Sequence, residues 1–128
     1  MKKIKLNGTV FSGGGKGKEF LELSWVKRQI KEKLGFTPYP GTLNLKLNEE
    51  SIKYRKLLEN APSERITPAD GYYNGILFKA FIDILKVVIV VPEVPDYPKD
   101  VLEVIAAVNL RKTLQLEDGC EVTVTVNL

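Results

Sequence analysis

Histidine is absent from these 128 residues, and cysteine, methionine and tryptophan occur once each. Without an imidazole, a histidine-based catalytic triad and a Cys/His zinc site are both excluded. The lone Cys120 rules out an intrachain disulfide and is compatible with a reducing compartment. Long apolar runs are missing as well. The most apolar stretch, Ile84 to Val91, is too short to cross a bilayer and is broken by Lys86. The basic start Met1-Lys2-Lys3 leads into alternating residues rather than an apolar segment, so no signal peptide is expected and the cytoplasm is the expected compartment. Charge of one sign is also scarce: 19 basic against 16 acidic residues leave +3. That excess favours anionic ligands mildly and is too small to indicate nucleic acid, so neither a nucleic-acid nor a membrane partner is expected.

What is present is an ordinary globular balance, 44% hydrophobic and 27% charged, in a length that suits a single domain over residues 1–128. Ile4, Leu6 and Val10 alternate with polar residues, the period of a half-buried strand. Ser12 to Lys18 reads SGGGKGK, and Phe20 to Leu23 is expected to resume as a short strand. Ser24 is placed to cap a helix carrying Val26, Ile30 and Leu34, with Gly35 as its stop. Phe36 to Gly41 is a rigid turn, since Pro38 and Pro40 fix φ and lack a donor.

Thr42 to Leu47 alternates cleanly, and Glu49 to Asn60 has helical character. Ala61 to Gly75 is expected to be irregular. Ile76 to Ile82 and Ile84 to Val91 are strand-rich runs separated only by Asp83, a tight hairpin. Pro92 to Pro98 must be an extended connector, and Leu102 to Ala107 suits either strand or helix. Asn109 caps a short helix through Leu114. Glu117-Asp118-Gly119 then turns into a last strand with Val122, Val124 and Val126 on its inner face. Six or seven short strands and two or three helices predict a mainly β fold with short helices, closed or nearly closed into a barrel.

Two segments carry chemistry. Gly13-Gly14-Gly15-Lys16-Gly17-Lys18 joins two expected strands, and its glycines can turn with positive φ and bring backbone N–H groups close to an anion. Lys16 and Lys18 add charge suited to phosphate. The Walker spacing is absent and no helix is expected to follow directly. A flexible hairpin with solvated lysines is the alternative. On the following alternating strand, Thr42 and Asn44 share the face opposite Leu43, Leu45 and Leu47, about 7 Å apart at the backbone. Their oxygens can converge on a hard cation such as Mg²⁺ if a nucleotide supplies most of the negative charge. They can equally be the outward residues of an amphipathic strand.

In this order, Gly8-Thr9-Val10-Phe11-Ser12-Gly13 with its loop, the block Leu34-Gly35-Phe36-Thr37-Pro38-Tyr39-Pro40-Gly41-Thr42-Leu43-Asn44-Leu45, and Leu102 to Ala106 running into Asn109-Leu110-Arg111 resemble the archaeal-type CTP-dependent riboflavin kinases. The resemblance spans nearly the whole chain. It implies a six-stranded cradle-loop β-barrel of the riboflavin-synthase type, and transfer of the γ-phosphate of CTP to riboflavin, giving FMN and CDP with Mg²⁺ as cofactor. It implies that Gly14, Gly15, Lys16, Gly17, Lys18 and Glu19 wrap the nucleotide phosphates and that Thr42 and Asn44 ligate magnesium. Val108, Asn109, Leu110 and Arg111 would line the base pocket, largely through backbone groups. Glu103 would sit at the flavin end, as the carboxylate available to orient the ribityl hydroxyl or accept its proton; a plain strand-end charge is the alternative.

Two departures stand out. Family members usually carry a threonine for the FMN phosphate, in an Arg-Thr-His-His-like stretch, where this chain has Val94-Pro95-Asp96-Tyr97. Pro95 brings neither a hydroxyl nor an N–H to that flavin-binding position. The hairpin at Asp83 also looks short, and no helix-turn-helix domain of the kind that some relatives bear is expected within these 128 residues. Two other readings compete: a noncatalytic nucleotide or flavin binder, and a swapped-hairpin DNA-binding regulator, which would need a basic stripe where the lysines are instead dispersed among acids.

Overall fold

The computed structural model describes residues 2–13, 16–69, 71 and 73–128, with the side chains of 16–18 outside that description. Seven strands run as β1 (Lys3–Phe11), β2 (Leu43–Leu47), β3 (Glu64–Ile66), β4 (Gly75–Ile82), β5 (Leu85–Pro92), β6 (Val101–Ile105) and β7 (Glu121–Asn127). Between them lie α1 (Lys16–Glu22), α2 (Ser24–Leu34), α3 (Glu49–Arg55) with a 3₁₀ turn over Lys56–Asn60, and α4 (Leu110–Thr113). The sheet order is β3-β4-β5-β6-β2-β1-β7, with all pairs antiparallel. Phe81 of β4 pairs with Thr125 of β7, which closes six strands into the expected barrel. The short β3 covers the otherwise open edge at the start of β4.

Two apolar clusters hold this together. Alternate residues of every barrel strand point inward: Leu6 and Val10, Leu43 and Leu45, Phe78, Val87 and Ile89, Val104, Val124 and Val126. The second cluster lies outside the barrel, where Leu77, Val88, Val90 and Ile105 meet Leu21, Val26 and Ile30 of the first two helices and Ile66 of β3. Coverage on both faces explains why β5 reads as an unbroken apolar run rather than an alternation. One end of the barrel is plugged by Ile52 and Leu58 after β2, and the other by Leu110, Leu114 and Leu116 around α4.

Several local expectations need correction. Phe20–Leu23 is not a strand. It ends α1 and leads into α2, because Leu21 must cover Val88 and Val90 on the outer face, and Phe20 meets Trp25 edge-on at 5.9 Å. The glycine segment therefore leads from a strand into a helix, because α1 already begins at Lys16 within it. Ser24 is the first residue of α2 rather than its cap. Leu23 holds the cap position without a side-chain bond, its carbonyl accepting from Val26 and Lys27. Gly35 does stop the helix, at φ 79°.

The stretch 61–75 is not wholly irregular: β3 forms there because Ile66 is fully buried and Gln29 clamps Thr67 through both backbone groups, at 2.9 and 2.8 Å. The tight hairpin has two loop residues, Asp83 and Ile84, with Asp83 at φ 53° and Ile82 paired to Leu85. The ambiguous run at 102–107 is strand through Ile105.

Close packing at Gly8 makes a specific expectation. A Cβ there would lie 2.8 Å from Leu45 Cβ inside the barrel. Gly8→Ala should cost about 1–3 kcal/mol in urea denaturation. Ile84→Ser at the hairpin tip, where Ile84 is 96% exposed, should stay within about 0.5 kcal/mol.

Candidate functional site

The start of β2 and the end of β6 lie at the α4 end of the barrel, where Leu43 pairs with Val104 and Asn44 with Glu103. Because Leu43 and Leu45 point inward, Thr42, Asn44 and Glu103 share the outer face. Asn44 also pairs with Phe11, the last residue of β1, so the root of the glycine segment arrives beside it. The approach is close: a Cβ at Gly13 would lie 2.4 Å from Asn44 Nδ2. Any larger residue at position 13 would require the Asn44 amide to move.

Thr42 Oγ1 lies 2.9 Å from Asn44 Oδ1 and donates toward it, and lies 3.3 Å from Glu103 Oε1. Adjacent oxygens around an octahedral Mg²⁺, each 2.0–2.1 Å from the ion, are separated by about 2.9 Å. The 2.9 Å here is that of a hydrogen bond between the two groups, and both oxygens are of the hard type that Mg²⁺ accepts. Neither carries charge, so most of the balancing negative charge would have to come from elsewhere.

Thr42 also borders a small cavity of about 150 Å³ that is lined by Tyr39, Pro40, Gly41, Val108, Asn109, Leu110 and Arg111. Its walls are tied together. Tyr39 N donates to Ala106 O at 2.8 Å, and Asn109 Nδ2 to the Tyr39 hydroxyl at 3.2 Å. Asn109 Oδ1 accepts from Lys112 N and caps α4, as the sequence predicts. Leu110 borders the cavity while its side chain packs into the barrel core.

Arg111 reaches the root of the glycine segment. Its Nη2 donates to Phe11 O at 3.3 Å and pairs with Asp118 Oδ1 at 2.7 Å. Asp118 in turn accepts from Ser12 Oγ at 2.8 and 3.0 Å. The hydrogen bonds from Arg111 and Ser12 hold the Asp118 carboxyl below its ordinary value.

The family model CTP-dep_RFKase, described as "Domain of unknown function DUF120", matches residues 10–126. The chain belongs to this family. Among similar proteins, the riboflavin kinase of Pyrobaculum aerophilum is 42% identical over 132 aligned positions, covering 98% of this chain and 61% of that protein. The riboflavin kinase of Archaeoglobus fulgidus is 40% identical, over 98% of this chain and 55% of its own length. That of Methanosarcina barkeri is 37% identical, over 94% and 56%. The chain therefore spans between 55% and 61% of the length of these three relatives.

Gly13, Thr42, Asn44, Glu103 and the segment 108–111 thus gather at one barrel end. Gly14 and Gly15 lie outside the described residues, as do the side chains of Lys16 and Lys18, while Gly17 falls in α1. Glu19 is exposed on α1, with no bond to the cluster among the described residues. Pro95 is an exposed residue of the connector. Also among the described residues, no helix is long and apolar enough to cross a membrane, and no group of three or more acidic, cysteine or histidine residues is arranged for a metal.

Tyr97 was not singled out by sequence reasoning, yet its hydroxyl donates to Glu103 Oε2 at 2.5 Å. Arg55 stands over its ring, with Cζ 5.7 Å from the centroid. Nothing in a proline-rich connector marks one tyrosine for such a partner, because the contact depends on where β6 lies.

The latch at Asp118 has a pH signature. Its folded-state value lies below the ordinary 3.8, so its stabilising effect is full above that pH and is lost as pH falls through the lower, folded value. Asp118→Asn should therefore lower the urea midpoint at pH 7, with the difference from wild type disappearing in strong acid.

Proposed function

We propose that this chain, as a single barrel domain over residues 1–128, is a cytoplasmic CTP-dependent riboflavin kinase that uses Mg²⁺. The ribityl 5′-oxygen of riboflavin attacks the γ-phosphorus of CTP. A new P–O bond gives FMN, the bond from the γ-phosphorus to the bridging oxygen breaks, and CDP leaves. Family membership supports the riboflavin kinase class. The observation that carries the reading is the approach of Gly13 to Asn44, beside Thr42 and the cavity formed by 108–111.

Phosphoryl transfer asks a protein mainly to align two oxygens and to neutralise charge. In this reading the backbone of 14–19, with Lys16 and Lys18, cradles the triphosphate. Arg111 holds the loop root, and the backbone of 108–111 reads the cytosine. Thr42 Oγ1 and Asn44 Oδ1 would hold Mg²⁺, which would supply positive charge to offset that of the triphosphate. Glu103 Oε1, next to Thr42, orients the attacking hydroxyl and receives its proton. Pro95 brings no hydroxyl to the flavin phosphate, so that end of the product must be held by other groups.

Incubation with riboflavin, Mg²⁺ and each of CTP, ATP, GTP and UTP, followed by chromatography, should yield FMN with CTP preferred. A chain that binds riboflavin or CTP but forms no FMN would be a noncatalytic relative instead. Asn44→Ala should cut Mg²⁺-dependent turnover at least a hundredfold, in the range of an essential positioning group, while leaving the urea midpoint near wild type. Unchanged turnover in that variant would remove Asn44 from the metal site.

A further inference from the structure

The connector between β5 and β6 is exposed at Val94, Pro95, Asp96, Pro98 and Lys99, but Tyr97 among them is half-buried. It belongs to neither apolar cluster. Its environment is instead polar and charged: the phenol oxygen meets Glu103 Oε2, and Arg55 covers the ring. The same guanidinium, at the end of α3, donates from Nη1 to Pro98 O at 3.0 Å, so it grips the connector immediately beyond the tyrosine. The two Glu103 oxygens are thereby divided, with Oε2 taken by Tyr97 and Oε1 facing Thr42.

An otherwise mobile carboxylate has several rotamers, and holding one oxygen limits the positions open to the other. We propose that Tyr97 is a positioning residue for the acceptor end of the site. It holds Glu103 so that Oε1 faces the Thr42 side, and Arg55 fixes the phenol from α3. This inference rests on the role given to Glu103 above. Burial, with the adjacent Glu103 carboxylate, keeps the phenol protonated well above its ordinary range, so it acts as a donor throughout the neutral region.

Such a role predicts a loss specific to the alcohol substrate. Tyr97→Phe keeps the ring beneath Arg55 and removes only the hydroxyl. FMN formation by the full chain should show kcat/KM for riboflavin falling about tenfold, the effect of one lost hydrogen bond to a charged group. KM for CTP and the urea midpoint should stay at wild-type values. In a Glu103→Gln background the same change should have no further effect, since Tyr97 acts through that carboxylate.

Fully additive losses, or an equal rise in KM for CTP, would overturn the inference. An active, Glu103-dependent enzyme indifferent to Tyr97→Phe would sink it alone, whereas full turnover by Glu103→Gln would remove both it and the role of Glu103. If the wild-type chain forms no FMN, quenching of riboflavin fluorescence decides: binding weakened by Tyr97→Phe supports the positioning role, and unchanged or absent binding rejects it. Should Tyr97→Phe fold poorly, Arg55→Met carries the same expectation at smaller size, with the same reversals.

Discussion

β2 sits between β1 and β6, and its register against both decides where the chemistry can be. Its three leucines must face the barrel interior, where Leu45 is completely buried. Alternation then leaves Asn44 no choice but the outer face, between Phe11 on one side and Glu103 on the other. A slip of one residue would carry the amide into an apolar core and expose the leucines, so burial enforces the register strongly. The same constraint delivers Gly13 to Asn44, because β1 runs off the sheet beside that position.

The barrel explains how two small neutral side chains can be held at a fixed spacing. Thr42 and Asn44 stand on or next to a strand hydrogen-bonded on both edges, backed by a close-packed interior. Around them the connecting segments are tied by polar contacts. Asp118 links Arg111 to Ser12 on one side, and Arg55 and Tyr97 brace Glu103 on the other. These contacts are exposed or half-exposed, where individual ion pairs add little stability. Their consequence is geometric: they restrict the directions in which a few oxygens and one guanidinium can point.

Local pattern reads well where one physical demand governs a segment. β7 has a solvent face and a core face, so its valines alternate, and its inward set is Val122, Val124 and Val126. Asn109 caps α4, and Gly35 ends α2, because both conformations are set within a few residues. Pattern misleads where a second surface intervenes. Phe20–Leu23 has strand-like composition but is recruited into helix to cover Val88 and Val90. Glu64–Ile66 is short and polar at its start, yet it becomes a strand because an open edge of β4 and a pocket for Ile66 await it.

The sequence by itself determined the alternating faces of the strands, the inward leucines of β2 with Thr42 and Asn44 opposite, the cap of α4 and the stop of α2, and the family. Each of these follows from neighbours close along the chain or from the order of motifs. Tertiary structure alone decided barrel closure through Phe81 and Thr125, the 3.3 Å approach of Thr42 to Glu103, and the Arg55–Tyr97–Glu103 contact. Those depend on residues far apart in the chain being brought to one place by the packing of the whole barrel. No local spacing rule can encode a distance that exists only once the strands have closed.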